Sequence, residues 1–253
     1  MSVLEAKEVF KIYCKGKENE ITALNNVSLS VEQGEFISIM GPSGSGKSTL
    51  LHALSGLDTI TKGAVEINDT NISKMSESEI SRFRRGHIGY VFQDFNLIDS
   101  LTVHDNIALP LALQKEDKDK IETKIQDYLT SLNIDSVKNK LPNDCSGGQC
   151  QRTAIARALV HSPSILFADE PTGNLDSANA HDVLEILQKL NKEKDITIMM
   201  VTHDSMVASY SHKVLFLRDG VIEHIIEKGN KTQTEYYEEI ASFNLKDRIH
   251  LIR

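Results

Sequence analysis

The chain has 253 residues, 40% hydrophobic and 25% charged, with a net charge of −8, which suits one large or two small packed domains. The acidic balance, with no long basic block, excludes a grip on nucleic acid by bulk electrostatics. Three cysteines, Cys14, Cys145 and Cys150, exclude a disulfide framework, and no apolar run nears the roughly 20 residues that span a bilayer.

The first residues carry charge too early for a signal peptide, so a cytoplasmic location is expected. Val3–Phe10 and Val27–Val31 predict strands. Tyr13, between Lys11 and Lys15, falls in the connection between them. It reads either as a stacking platform for a purine or as an ordinary exposed tyrosine. Glu35–Met40 predicts a buried strand, and Thr49–Ser55 a helix. Gly63–Asn68 predicts a further strand. Ser76–Arg85 predicts a helix with Ser76 as cap and Glu79 at the capping-box position. Ile88–Phe92 predicts a strand that ends at Gln93.

From Gln93 to about Leu159 the pattern turns helical. Thr102–Leu113 is one helix, with Pro110 expected to kink it. Lys115–Leu132 is an amphipathic second, and Asn143–His161 contains a third. The block, about 94–160, reads as a helical subdomain inserted into an α/β pattern. That pattern returns with a buried strand, Ser164–Ala168, running into Asp169-Glu170. A helix over Ala180–Lys192 and a buried strand over Asp195–Thr202, ending at His203, follow. Asp219-Gly220 predicts a hairpin between Lys213–Arg218 and Val221–Ile225. Thr234–Leu245 predicts a helix in the polar tail.

Between the first buried strand and its helix runs Gly41-Pro42-Ser43-Gly44-Ser45-Gly46-Lys47-Ser48. It matches the phosphate-loop pattern G-x-x-x-x-G-K-[ST] in the strand-loop-helix context that pattern needs. Glycines let backbone N–H groups approach an anion, and the helix N-terminus adds orphan donors. Lys47 can reach the β- and γ-phosphates, and the Ser48 hydroxyl can ligate Mg²⁺. Asp169 sits at a strand end, where open α/β sheets bind ligands, and can hold Mg²⁺. Glu170 can take a proton from an attacking water. Ser146-Gly147-Gly148-Gln149 opens a helix, as a second anion site or as a plain entry capped by Ser146. Gln93 and His203 each end a strand; taken singly, each suits a structural role as well as a phosphate contact.

Taken in order, these motifs resemble the nucleotide-binding subunit of an ATP-binding-cassette transporter. Gly41–Ser48 resembles its Walker A motif, Gln93 its Q-loop, and Ser146–Gln149 its signature. Ile165–Glu170 resembles Walker B, Pro171–Asp176 the D-loop, and His203 the switch histidine. The likeness runs from about Val3 to Glu227. Cys145 departs from it, standing where the family usually has Leu, and Cys150 is also unusual.

The resemblance implies an α/β fold: a P-loop NTPase (RecA-like) core, an N-terminal antiparallel β subdomain and the inserted helical subdomain. The nucleotide-binding domain would span residues 1–228 and a C-terminal extension 229–253. Its implied cofactors are ATP and Mg²⁺. Nucleotide would be held by Tyr13, the loop Gly41–Ser48 with Thr49, Ser146–Gln149 and Asp176. Catalysis would fall to Glu170, His203 and Gln93, and the metal to Ser48, Gln93 and Asp169. Two copies would close head to tail on ATP, and an integral membrane permease would dock on Phe95, Asn96, Leu97 and Leu101. That places the chain peripherally on the inner face of the cell membrane, with no nucleic-acid partner.

Arg152–Ala158, Asp169–Asp176 and Leu101–Leu111 are similar to the branch serving macrolide-export, lipoprotein-release and bacitracin-resistance permeases. Thr202–Tyr210 with Lys213–Gly220 is most similar to the bacitracin-resistance type. That type defends against cell-envelope-active peptides and signals, through its permease, to a membrane histidine kinase. Non-transport relatives carry a long coiled coil between the Walker A and signature motifs, and translation factors carry two cassettes. This chain has one phosphate loop and a short helical interval.

Overall fold

The computed structural model describes residues 2–114 and 118–250, with side chains over 2–114 and 121–245. Two twelve-residue strands, β1 (Ser2–Tyr13) and β2 (Ile21–Glu32), pair antiparallel. Both outrun their apolar cores because register shifts and a left-handed Glu8 (φ 47°) break the simple alternation. Tyr13 is therefore the last residue of β1 and not part of the connection. Next come β3 (Phe36–Met40), α1 (Lys47–Leu54), β4 (Lys62–Ile67) and β5 (Thr70–Asn71). Together β2-β1-β4-β5 form a four-stranded antiparallel sheet. Then follow α2 (Glu77–His87) and β6 (Ile88–Val91). The Glu79 carboxylate accepts from the Ser76 N–H at 2.8 Å, closing the expected cap.

The helical block comprises α3 (Val103–Leu113), α4 (Lys118–Ser131) and α5 (Gly147–Leu159). Thr102 caps α3, which continues through Pro110 to Leu113. Positions 115–117 of the expected second helix lie outside the described residues. The chain then supplies β7 (Ile165–Asp169), α6 (Ser177–Lys194), β8 (Thr197–Val201), α7 (Ser205–Ala208), β9 (Lys213–Arg218), β10 (Val221–Glu227) and α8 (Gln233–His250). Asp195 is a left-handed C-cap of α6 (φ 53°), so the strand expected from that residue begins at Thr197.

The second sheet has six strands in the order β10-β9-β3-β8-β7-β6, parallel except for β10. Its strands read as unbroken apolar runs because both faces are buried. Phe36, Leu166, Ala168, Ile198 and Met200 face one core, with Ile107, Ile125, Leu129, Ile155 and Val183 from the helices. The alternate residues Ile37, Ile39, Ile165, Phe167 and Met199 face the other, against α1 and the antiparallel sheet. β6 and β7 are adjacent partners, Ile88 opposite Ile165. The helical block is thus an excursion between neighbouring strands. It shares its core with α6, and the loop, Gln93, Asp169 and His203 all emerge at the C-terminal ends of parallel strands.

Candidate functional site

Gly46 begins the site. It is the left-handed N-cap of α1 (φ 100°), and a Cβ there would meet the Ala23 carbonyl at 2.5 Å. Only glycine allows that turn, and the turn aims the first N–H groups of α1 into a cleft of 440 Å³. Ser43, Gly44, Gly46, Lys47, Ser48 and Thr49 line the cleft, with Glu170 opposite. Ile21–Ala23 of β2 and the Asp219-Gly220 hairpin complete it, and nothing in the motif pointed to them. Ser45 is buried, its N–H donating to the Pro42 carbonyl at 3.3 Å and its carbonyl accepting from Gly220 at 3.1 Å. Its role is to lock the loop.

Lys47 donates to the carbonyls of Gly41 (3.0 Å) and Pro42 (2.9 Å). Burial pushes its ammonium down from the usual lysine value, while Glu170 and Asp169 pull it up. Ser48 Oγ donates to Asp169 Oδ1 at 3.2 Å, and His52 Nε2 lies 3.8 Å from Oδ2. Burial raises the Asp169 carboxyl, and Ser48 and His52 oppose this. A serine hydroxyl beside a half-buried carboxylate is a hard oxygen donor set and fits Mg²⁺. Glu170 lies one residue past the strand in a left-handed conformation (φ 44°), with its N–H bonded to the Val201 carbonyl at 3.0 Å. Its Oε1 sits 3.2 Å from His203 Nδ1. Two strand ends thus bring the acid and the histidine together.

Tyr13 stands beside this cleft. Its hydroxyl donates to Asp58 Oδ2 at 2.8 Å, and the Lys11 ammonium lies 4.7 Å from its ring centre. Lys11 also pairs with Asp58 Oδ1 at 2.7 Å. Gln93 is exposed, with its carbonyl accepting from Asn174 Nδ2 at 3.1 Å. Beyond it Phe95 (φ 60°) and Asn96 (φ 48°) are both left-handed. The Arg157 guanidinium of α5 holds that bend, donating to Asn96 O at 2.6 Å and Phe95 O at 2.9 Å. Asp58, Asn174 and Arg157 were not legible as site residues, since each acts through a contact distant in sequence.

Ser146–Gln149 lies elsewhere. Ser146 caps α5 and accepts from Gln149 N at 3.3 Å, while Gln149 Oε1 accepts from Ser146 N at 2.9 Å. The entry is capped, as one reading of this stretch expects, and Ser146 and Gly147 are exposed. Gly147 lines a cleft with Phe95, Leu97 and Cys145, separate from that of the phosphate loop. Asp176 caps α6, accepting from the Asn179 N–H at 2.9 Å and its Nδ2 at 2.7 Å.

The model of the ABC transporter family matches residues 24–173. The chain belongs to the ABC transporter family. It is the ATP-binding, ATP-hydrolysing subunit of such a transporter. Among relatives, the bacitracin export ATP-binding protein BceA of Halalkalibacterium halodurans is 45% identical over 240 residues, 95% of this chain and 94% of that one. The macrolide export ATP-binding/permease protein MacB of Neisseria meningitidis is 41% identical over 88% of this chain, which spans 34% of MacB. Among solved structures, a dimer of the ATP-binding cassette MJ0796 of Methanocaldococcus jannaschii, bound to ADP and Pi in a post-hydrolysis state, superposes with a TM-score of 0.81. It is 41% identical, covering 88% of this chain and 98% of that one.

This ABC cassette carries a further open groove beside its sheet. Leu57, Tyr90, Phe92, Leu109, Pro110 and Leu113 line an open apolar groove between the sheet edge and α3. Arg84, Arg85 and Arg157 also line it. Of the docking residues expected, Phe95, Asn96 and Leu97 line the cleft of Gly147, Asn96 also reaches this groove, and Leu101 lines neither. Among the described residues no helix is long and apolar enough to cross a membrane.

Proposed function

We propose that this chain drives an exporter or sensor of bacitracin-like antimicrobial peptides by hydrolysing ATP at a site shared between two copies. The Glu170–His203 contact carries the hydrolytic reading: a carboxylate 3.2 Å from an imidazole, facing Lys47 across one cleft. Lys47 and the N–H groups of α1 bind the β- and γ-phosphates. Glu170 accepts the proton of the attacking water, His203 holds Glu170 and donates toward the γ-phosphate, and Gln93 contacts the water or the metal. Ser48, Asp169 and Gln93 would hold Mg²⁺, which supplies charge neutralisation between the phosphates. Tyr13 stacks on the purine. Ser146–Gln149 and Asp176 complete the site of a second copy, a reading supported by the exposure of Ser146 and by the dimeric state of the MJ0796 relative.

The substrate class is supported by 45% identity across nearly the whole of a bacitracin export protein. The permease docks in the groove of Leu57, Phe92 and Leu113, placing the chain on the inner membrane face. A membrane histidine kinase is reached through that permease. Similarity to a macrolide export protein supports a second reading. Deleting the gene should sensitise the host to bacitracin-type peptides; sensitisation to macrolides alone would favour the second.

Glu170→Gln tests the hydrolytic site. The amide keeps the size but cannot take a proton. ATP turnover should fall by two orders of magnitude or more, about 2.7 kcal/mol of barrier. With ATP and Mg²⁺, the variant should elute as a dimer in size-exclusion chromatography. Unchanged phosphate release would remove Glu170 as the base, and arrested turnover without any dimer would remove the shared site.

A further inference from the structure

A third, smaller core joins the site to the C-terminal helix. Met40, the residue before the phosphate loop, is buried in it with Ala208 of α7, Phe216 of β9, and Tyr236 and Ile240 of α8. Tyr236 is fully buried and its hydroxyl donates to the Ile226 carbonyl at 3.2 Å. These side chains anchor α8 to the sheet.

Two amides of α8 do something different. Gln233 Nε2 donates to the carbonyl (2.9 Å) and hydroxyl (2.8 Å) of Ser209, the C-cap of α7. Asn244 Nδ2 donates to Oγ of Ser205, the first residue of α7, at 3.1 Å. Helix α7 has four residues, one turn, and a single turn has no stability of its own. Its direction is set by what grips it. His203 stands one residue before Asp204, whose carboxylate caps α7 through Met206 N at 2.7 Å. The imidazole is largely exposed, with its side chain 63% accessible, and Glu170 is its partner on the site side. The backbone of His203 is held on one side by the end of β8, where buried Thr202 donates its N–H to the Ile39 carbonyl at 3.1 Å, and on the other by α7.

We propose that α8 is a brace for the switch histidine, with Gln233 and Asn244 as positioning residues that hold His203 against Glu170 through α7. The proposal rests on the reading of His203 as a hydrolytic-site residue. The hydrophobic anchors Tyr236 and Ile240 share this face of α8 and stay in place when the two amides are removed, so the helix keeps its core.

The test is steady-state ATP hydrolysis by the full chain carrying Gln233→Ala and Asn244→Ala together, against wild type, His203→Ala and the triple variant. The paired variant should lower kcat about three- to tenfold, the loss of two ordinary hydrogen bonds. Its KM for ATP should stay within about twofold and its melting temperature close to wild type. In the His203→Ala background the pair should have no further effect. Glu238→Ala, on the exposed side of α8, should match wild type. An unchanged kcat in the paired variant, with His203→Ala reduced to a measurable residual turnover, would overturn the brace and leave the hydrolytic site standing. So would an equal loss in the His203→Ala background, or a kcat loss that only tracks a fall in melting temperature. Full turnover by His203→Ala would instead overturn the reading of His203 beneath it.

Discussion

Glu170 holds a backbone conformation that costs a β-carbon residue about 1–3 kcal/mol. The neighbours over-determine it: its N–H is tied to Val201 and its carboxylate to His203. Asp169, one residue earlier, is strained electrostatically. Its carboxyl is raised by burial, and Ser48 and His52 offset this only in part. A carboxyl raised in the folded state destabilises the fold when ionised. That cost is complete above the folded value and is relieved as pH falls toward the ordinary value of 3.8. Asp169→Asn should therefore raise the melting temperature at pH 7, measured without nucleotide or Mg²⁺, while abolishing turnover. The gain should shrink as the pH is lowered through the raised value; a gain constant with pH would mean that packing is its source.

At the scale of elements, the entry of α5 is held by its fit to α6. A Cβ on Gly148 would fall on the Asn179 side chain. Asn179 also donates Nδ2 to Asp176 Oδ2 at 2.7 Å, so displacing its side chain breaks that bond while the backbone cap of α6 stays. Gly148→Ala should cost about 1 kcal/mol in urea denaturation, roughly the hydrogen bond lost. Adding Asn179→Ala should remove the clash, so the double variant should be no less stable than Asn179→Ala alone. The cysteines flanking the signature have a milder role. Cys145 and Cys150 each donate a weak 3.4 Å bond to the nearby carbonyls of Leu141 and Pro142. Cys145→Ala and Cys150→Ala should each leave ATP turnover within about twofold of wild type, since neither thiol faces the phosphate cleft.

At the scale of the molecule, two cores on opposite faces of one parallel sheet hold the loop, the acids and His203 on a rigid edge. The apolar groove borders the same edge, with exposed Leu57 and Leu113 in its wall. Arg85 is exposed beside them, which suits an acidic partner helix. Arg85→Glu should lower peptide resistance in cells while ATP turnover by the isolated chain stays within about twofold. Intact resistance would move the permease contact off this groove.

The phosphate loop, the acidic strand end and the helix caps were legible in the residues alone, because each is local. Gly46-Lys47-Ser48 needs only its strand and helix, Ser76 only the residue three positions on, and Ser146 only the helix it opens; that Gln149 closes a box with Ser146 came from the structure. The buried strands were legible too, since a sheet covered on both faces demands continuous apolar runs. Strand ends were less so. Bulges extend β1 past Phe10, and a left-handed cap claims Asp195 for α6. The meeting of Glu170 with His203, of Arg157 with the Gln93 loop, and of α8 with α7 belonged to the tertiary structure. These contacts join residues far apart in the chain, and no local pattern encodes which strand will lie beside which. The strand order did that, by setting β3, β8 and β7 side by side and bringing their ends to one edge.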